Sequence, residues 1–83
     1  MELRDQIKAK LIERGAPLFG KKPEEITEDL RFVEDLHAKS VHYSQITTFL
    51  EDEFDVEIPY MEFRRKATVK DAVDYVLDLV ENE

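Results

Sequence analysis

The chain has no cysteine and no tryptophan, and only two glycines and three prolines in 83 residues. Without cysteine there is no disulfide, no thiolate metal site and no thiol of its own for covalent chemistry. No apolar run approaches the roughly 20 residues needed to span a bilayer, and no signal-peptide h-region follows Met1. A soluble cytoplasmic protein is the expectation. Basic residues are also in short supply: 12 Lys and Arg stand against 20 Asp and Glu, a net charge of −8. An acidic surface repels phosphate backbones, which argues against nucleic acid. It steers a basic protein surface instead. A single domain over 1–83 buries a modest core and lacks the depth for a cleft ringed by supported catalytic groups. The expectation is a non-catalytic binding or carrier module, monomeric alone.

The charge is unevenly placed. From Ser40 to Phe63 there are six acids (Glu51, Asp52, Glu53, Asp55, Glu57, Glu62) and no Lys or Arg. The first 39 residues are more balanced, with a small basic spot at Lys21 and Lys22.

Hydrophobic spacing predicts helices and no strand. Leu3, Ile7, Leu11 and Ile12 recur at helical intervals, with Glu2 and Asp5 early and Lys8, Lys10 and Arg14 late, as the macrodipole favours. Gly15 is a natural stop, so the first helix is expected over 2–14. Residues 15–39 show no sustained period. Their apolar residues Leu18, Phe19, Ile26, Leu30, Phe32, Val33 and Leu36 can pin a long loop onto a core, and Pro23 suits the start of one helical turn. Tyr43, Ile46, Phe49, Leu50 and Phe54 define one apolar face of a helix over 40–54. Pro59 opens a short turn through Tyr60, Met61 and Phe63. Thr68, with Asp71 three residues on, is an N-cap for a last helix whose Val69, Ala72, Val73, Val76 and Val80 fall at core spacing. The predicted fold is all-α: a small antiparallel bundle of three to four helices with a long ordered loop between the first two.

In order, spacing and length, nearly the whole chain resembles the acyl carrier proteins, including the peptidyl and polyketide carriers. The densest likeness is Phe32-Val33-Glu34-Asp35-Leu36 before Ser40, then Leu50-Glu51-Asp52-Glu53-Phe54 and Ile58-Pro59 after it. Thr68-Val69-Lys70-Asp71-Ala72 and Tyr75-Val76 resemble the family's closing helix. The resemblance implies that a phosphopantetheinyl transferase moves 4′-phosphopantetheine from coenzyme A onto Ser40. The arm's thiol would then carry acyl groups as thioesters between enzymes of a fatty-acyl, lipid or polyketide pathway. The chain departs from the family's Gly-x-Asp-Ser-Leu, reading His37-Ala38-Lys39-Ser40-Val41, and carries His42 and Gln45 where acids are usual. Lys39 and Val41 therefore flank the attachment residue with altered charge and shape. That points to a specialised carrier served by dedicated partners. Acyl-transferring or acyl-modifying enzymes with basic docking surfaces would meet His42, Glu51, Asp52, Glu53, Asp55, Glu57 and Met61. An acyl chain would lodge among Phe32, Ile46, Phe49, Phe54, Val73 and Val76, gaining about 0.8 kcal/mol per buried CH₂ less the cost of opening the core.

Other readings compete. Ser40 opening a helix is also an ordinary N-cap position. The chain would then be an unmodified carrier-like helical interaction module docking a basic partner through its acidic face. Asp35, His37, Ser40 and His42 hold the letters of a hydrolytic triad, without an oxyanion hole or cleft to serve it. His37 and His42 lack further zinc ligands. The run from Glu51 to Glu57 lacks the glycine and ligand order of an EF-hand, so no metal site is expected.

Overall fold

The computed structural model describes residues 2–82. Four α-helices follow one another: α1 (Leu3–Phe19), α2 (Ser40–Phe54), α3 (Tyr60–Arg64) and α4 (Val69–Glu81), with a single 3-10 turn at Pro23–Glu25. Among the described residues the one bridge of extended chain pairs Arg31 with Thr68. This is the helical bundle that the periodicity predicts. α1 and α2 run antiparallel, because Lys10 pairs with Glu53 and Arg14 with Gln45, rising along one helix while falling along the other.

α1 corrects the expected stop at Gly15. It continues for another turn through Gly15 and Pro17. Gly15 is buried against α2: a Cβ built on it would lie 3.5 Å from the Phe19 ring and 3.8 Å from Ile46 Cδ1. The true terminus is Gly20, at φ 67. Lys21 N–H donates to the Ala16 carbonyl (2.9 Å) and Gly20 N–H to the Pro17 carbonyl (3.3 Å). This double closure satisfies the orphan carbonyls of the last turn.

The long loop is ordered, as expected, and its anchor is main-chain pairing with the start of α4. Lys70 and Val69, whose N–H groups have no intrahelical acceptor at a helix start, donate to the carbonyls of Glu28 (2.9 Å) and Leu30 (3.0 Å). Phe32 N–H donates to the Ala67 carbonyl at 3.0 Å. Ile26, Phe32 and Leu36 are buried. Val33 departs from the expectation, since it is exposed. An ion-pair network closes the same region. The Arg4 guanidinium meets Glu28 at 2.6 Å and Asp74 at 2.8 Å, Lys8 reaches Glu28 at 3.1 Å, and Lys70 reaches Asp74 at 2.8 Å. Hydrogen bonds from Arg4 and Lys8 hold the Glu28 carboxyl down at about 2.

The core gathers Ile7, Leu11, Phe32, Ile46, Leu50, Phe63, Val69, Val73 and Val76, all essentially inaccessible. Phe32, Tyr43 and Phe63 pack ring to ring, with centroids 5.6 to 6.3 Å apart. Thr68 caps α4 as expected, its Oγ1 accepting from Asp71 N–H at 3.1 Å. α2 spans the predicted residues, with Tyr43, Ile46 and Leu50 buried. Phe49 and Phe54 are only half-buried.

Candidate functional site

Ser40 is the first helical residue of α2 and is exposed. The N-cap is Lys39, in extended conformation at φ −121 and ψ 169. This overturns the N-cap alternative for Ser40. The helix start is closed from the other side: Lys39 N–H donates to Nδ1 of His42 at 3.0 Å. An imidazole nitrogen accepts such a bond only while it carries no proton. The His42 ring in turn meets the Phe19 ring edge-on, with centroids 4.9 Å apart. Among the described residues the Ser40 hydroxyl takes no part in a hydrogen bond. The Ser40 carbonyl does, accepting from the Tyr60 hydroxyl of α3 at 3.2 Å.

The segment before Ser40 turns sharply. His37 has φ 54, in the left-handed region that costs an L-residue about 1–2 kcal/mol. The turn is held by Ala38 N–H, which donates to the Phe32 carbonyl at 2.8 Å. That bond brings Val33 toward the start of α2, and the Tyr60 bond brings Met61. Val33, Val41 and Met61 are the large hydrophobic residues left exposed, at 60, 54 and 57 %. Val41 follows Ser40 directly, and Met61 follows Tyr60, whose hydroxyl bonds the Ser40 carbonyl.

The acidic tract divides into two groups. Glu51 turns inward, its carboxylate accepting from Ile58 N–H at 2.8 Å and holding the 55–59 segment against α2. Glu53 pairs with Lys10 at 2.9 Å, and this hydrogen bond raises the Lys10 pKa. Asp52, Asp55 and Glu57 keep exposed carboxylates without such partners among the described residues. Asp55 closes α2 with φ 50. His42, expected to face partners, is half-buried against Phe19. α2 has no acid in its first turn and no base in its last. Its acids lie at the negative end of the macrodipole, an arrangement that costs a few tenths to about 1 kcal/mol for each charge.

The six residues expected to shelter an acyl chain are distributed differently from one another. Phe32, Ile46, Val73 and Val76 are closed into the core. Phe54 packs at its margin. Phe49 lines a groove of about 330 Å³ between α1 and α2, with Arg14, Ser44, Gln45, Thr48 and Asp52. Asp35 is a structural carboxylate: hydrogen bonds from Arg31 hold its pKa low. It does not contact His37 or His42 through a hydrogen bond. Among the described residues no group of three or more His, Cys, Asp or Glu is placed to hold a metal ion, and no helix is long and apolar enough to cross a membrane.

Phe19, Tyr60 and Arg14 belong to this end of the molecule and are not marked by any sequence motif. Only the 3.6-residue phase of Phe19, continued past Gly15, hints that it shares a helix with Leu11 and Ile12. No protein-family model matches the chain.

Proposed function

We propose that this protein is an acyl carrier: a non-catalytic module that bears acyl groups as thioesters on a 4′-phosphopantetheine arm attached to Ser40. The observation that carries the reading is the state of Ser40. It is exposed at the first turn of α2, the N-cap position falls on Lys39, and the Ser40 hydroxyl makes no hydrogen bond among the described residues. A hydroxyl with no structural task, beside helix N–H groups that favour a bound phosphate, suits covalent attachment. The backbone supports the resemblance further. His37 stands where the family pattern has glycine, and it adopts the positive φ that glycine adopts most readily. Exposed apolar residues around Ser40 are what transient enzyme partners bury.

In the attachment reaction the Ser40 oxygen attacks the phosphorus bearing the pantetheine of coenzyme A. The P–O bond to the neighbouring phosphate breaks, and the adenosine bisphosphate leaves. The hydroxyl proton passes to a base on the transferase. The chain supplies the nucleophile, an accessible helix start and a surface for docking; the arm supplies the thiol that the sequence lacks. Partners are expected to be the transferase and acyl-handling enzymes. Their cationic residues would meet Asp52, Asp55 and Glu57, and their apolar residues Val41 and Met61.

Intact mass after incubation with coenzyme A and a broad-specificity phosphopantetheinyl transferase tests this, with Ser40→Ala alongside. The expected result is one added phosphopantetheine that the variant loses. If no mass is gained, the Lys39→Asp/Val41→Leu double variant is tried in the same assay. Gain then identifies a carrier that needs a dedicated transferase. Continued failure points to an unmodified helical module that docks its partner through the same acidic and apolar face.

A further inference from the structure

Ser40, Ser44, Thr48 and Asp52 stand at successive i, i+4 positions of α2, and all four are exposed. They form one ridge of the helix. It starts at the attachment serine, passes two hydroxyls and ends at a carboxylate. Beside it lies the 330 Å³ groove, whose opposite wall is Arg14 of α1. Arg14 is fixed there, with one guanidinium nitrogen donating to Gln45 Oε1 at 2.8 Å. Phe49 is the one aromatic group in the lining.

We propose that this groove seats the arm and that the cargo it favours is an aminoacyl group, with the ammonium set against the Asp52 carboxylate. This inference rests on the carrier reading of Ser40. Length supports it. The twelve steps from Ser40 to Asp52 rise about 18 Å along the helix. The arm from serine oxygen to sulfur is about as long as five residues of extended chain, roughly 17 Å. Its two amides pass Ser44, Gln45 and Thr48, side chains that both donate and accept hydrogen bonds. Its tip arrives at Asp52, and an amine on the carbon next to the thioester carbonyl arrives with it.

The lining discriminates against other cargo. A plain alkyl chain laid here would cover hydroxyls, an amide and charged groups without replacing their hydrogen bonds with water. The shelter expected among Ile46, Val73 and Val76 is closed to solvent, and the larger apolar groove lined by Ile12, Ala16, Pro17 and Pro23 has no α2 residue in its wall. A cargo ending in a carboxylate would meet the Asp52 charge at the tip. Arg14, the cation that could answer it, is held beside Gln45, about 10 Å back along the helix.

The test loads the protein enzymatically with a matched pair of coenzyme A analogues in which a stable amide replaces the thioester. One carries an alanyl group and the other a propionyl group of nearly the same shape without the amine. Backbone amide shifts are then mapped for wild type and for Asp52→Asn, an exposed substitution whose folding is checked by circular dichroism. The expected result is a set of shifts at Ser44, Thr48 and Asp52 for the alanyl arm. They should fall in Asp52→Asn and at high salt to the smaller level that the propionyl arm gives. Equal shifts from both arms, shifts centred on Ile46, Val73 and Val76, or no shifts at all would overturn the proposal while leaving the carrier reading intact. Failure to load both the chain with Asp52 in place and its Lys39→Asp/Val41→Leu variant, seen by intact mass, removes the carrier reading, and the inference falls with it.

Discussion

The Tyr60 hydroxyl donates to the main-chain carbonyl of Ser40 at 3.2 Å, joining α3 to the first residue of α2 across 20 positions of sequence. Tyr60→Phe deletes this bond and nothing else of size. A single hydrogen bond contributes about 0.5–1.5 kcal/mol, and exposure puts this one at the lower end. Urea denaturation should therefore show a small loss of stability. Hydrogen exchange should show faster opening confined to α3 and the first turn of α2.

His42→Ala removes both the acceptor for Lys39 N–H and the edge contact with Phe19. Loss of a helix cap costs about 0.5–2 kcal/mol, and an aromatic pair contributes about 0.5–1.5 kcal/mol beyond its area. The expected destabilisation is about 1–2 kcal/mol, read from the shift in denaturation midpoint at unchanged slope. His42→Gln, whose side-chain oxygen can accept at the same place, should recover part of it.

Three backbone positions should respond with predictable sign. Gly15 lies inside α1 with room for a methyl group, so Gly15→Ala should stabilise by about 0.5–1 kcal/mol. Gly20 sits at φ 67, and Gly20→Ala should destabilise by about 1 kcal/mol. His37 at φ 54 carries strain that glycine would not. His37→Gly should be stabilising by up to about 1 kcal/mol, after the greater freedom of glycine in the unfolded chain is subtracted. Thermal unfolding of the three variants checks the order.

Acid should weaken the junction of α1, the long loop and α4. The Glu28 carboxyl is held at about 2 by Arg4 and then Lys8. Its folded pKa lies below the unfolded value of 4.5, so its contribution is complete above that value and is lost as pH falls toward 2. The side chains are about 30 % exposed, and solvent screening leaves about 1–2 kcal/mol of the nominal effect. Glu28→Gln should lower stability at pH 7 and flatten its dependence between about pH 4.5 and 2, measured by urea midpoints along a pH series.

What the residues determined alone was the local part of the fold. The phase of Tyr43, Ile46 and Leu50 defined α2, the Thr68 cap started α4, and the valines of α4 marked a buried face. These signals operate over three or four residues, within one turn of helix, and survive without knowledge of neighbours. Tertiary structure decided the rest. Gly15 remains helical because it packs on Ile46, 31 positions away. The N-cap position falls on Lys39, whose N–H is met by a His42 ring packed on Phe19, and Ser40 is left inside the first turn. Glu51 and Glu53 look like two more members of an acidic tract, yet Ile58 N–H and the Lys10 ammonium pair with them and leave Asp52, Asp55 and Glu57 unpaired among the described residues. Each of these outcomes depends on a partner brought close by the packing of another element, and such proximity leaves no periodic trace along the chain.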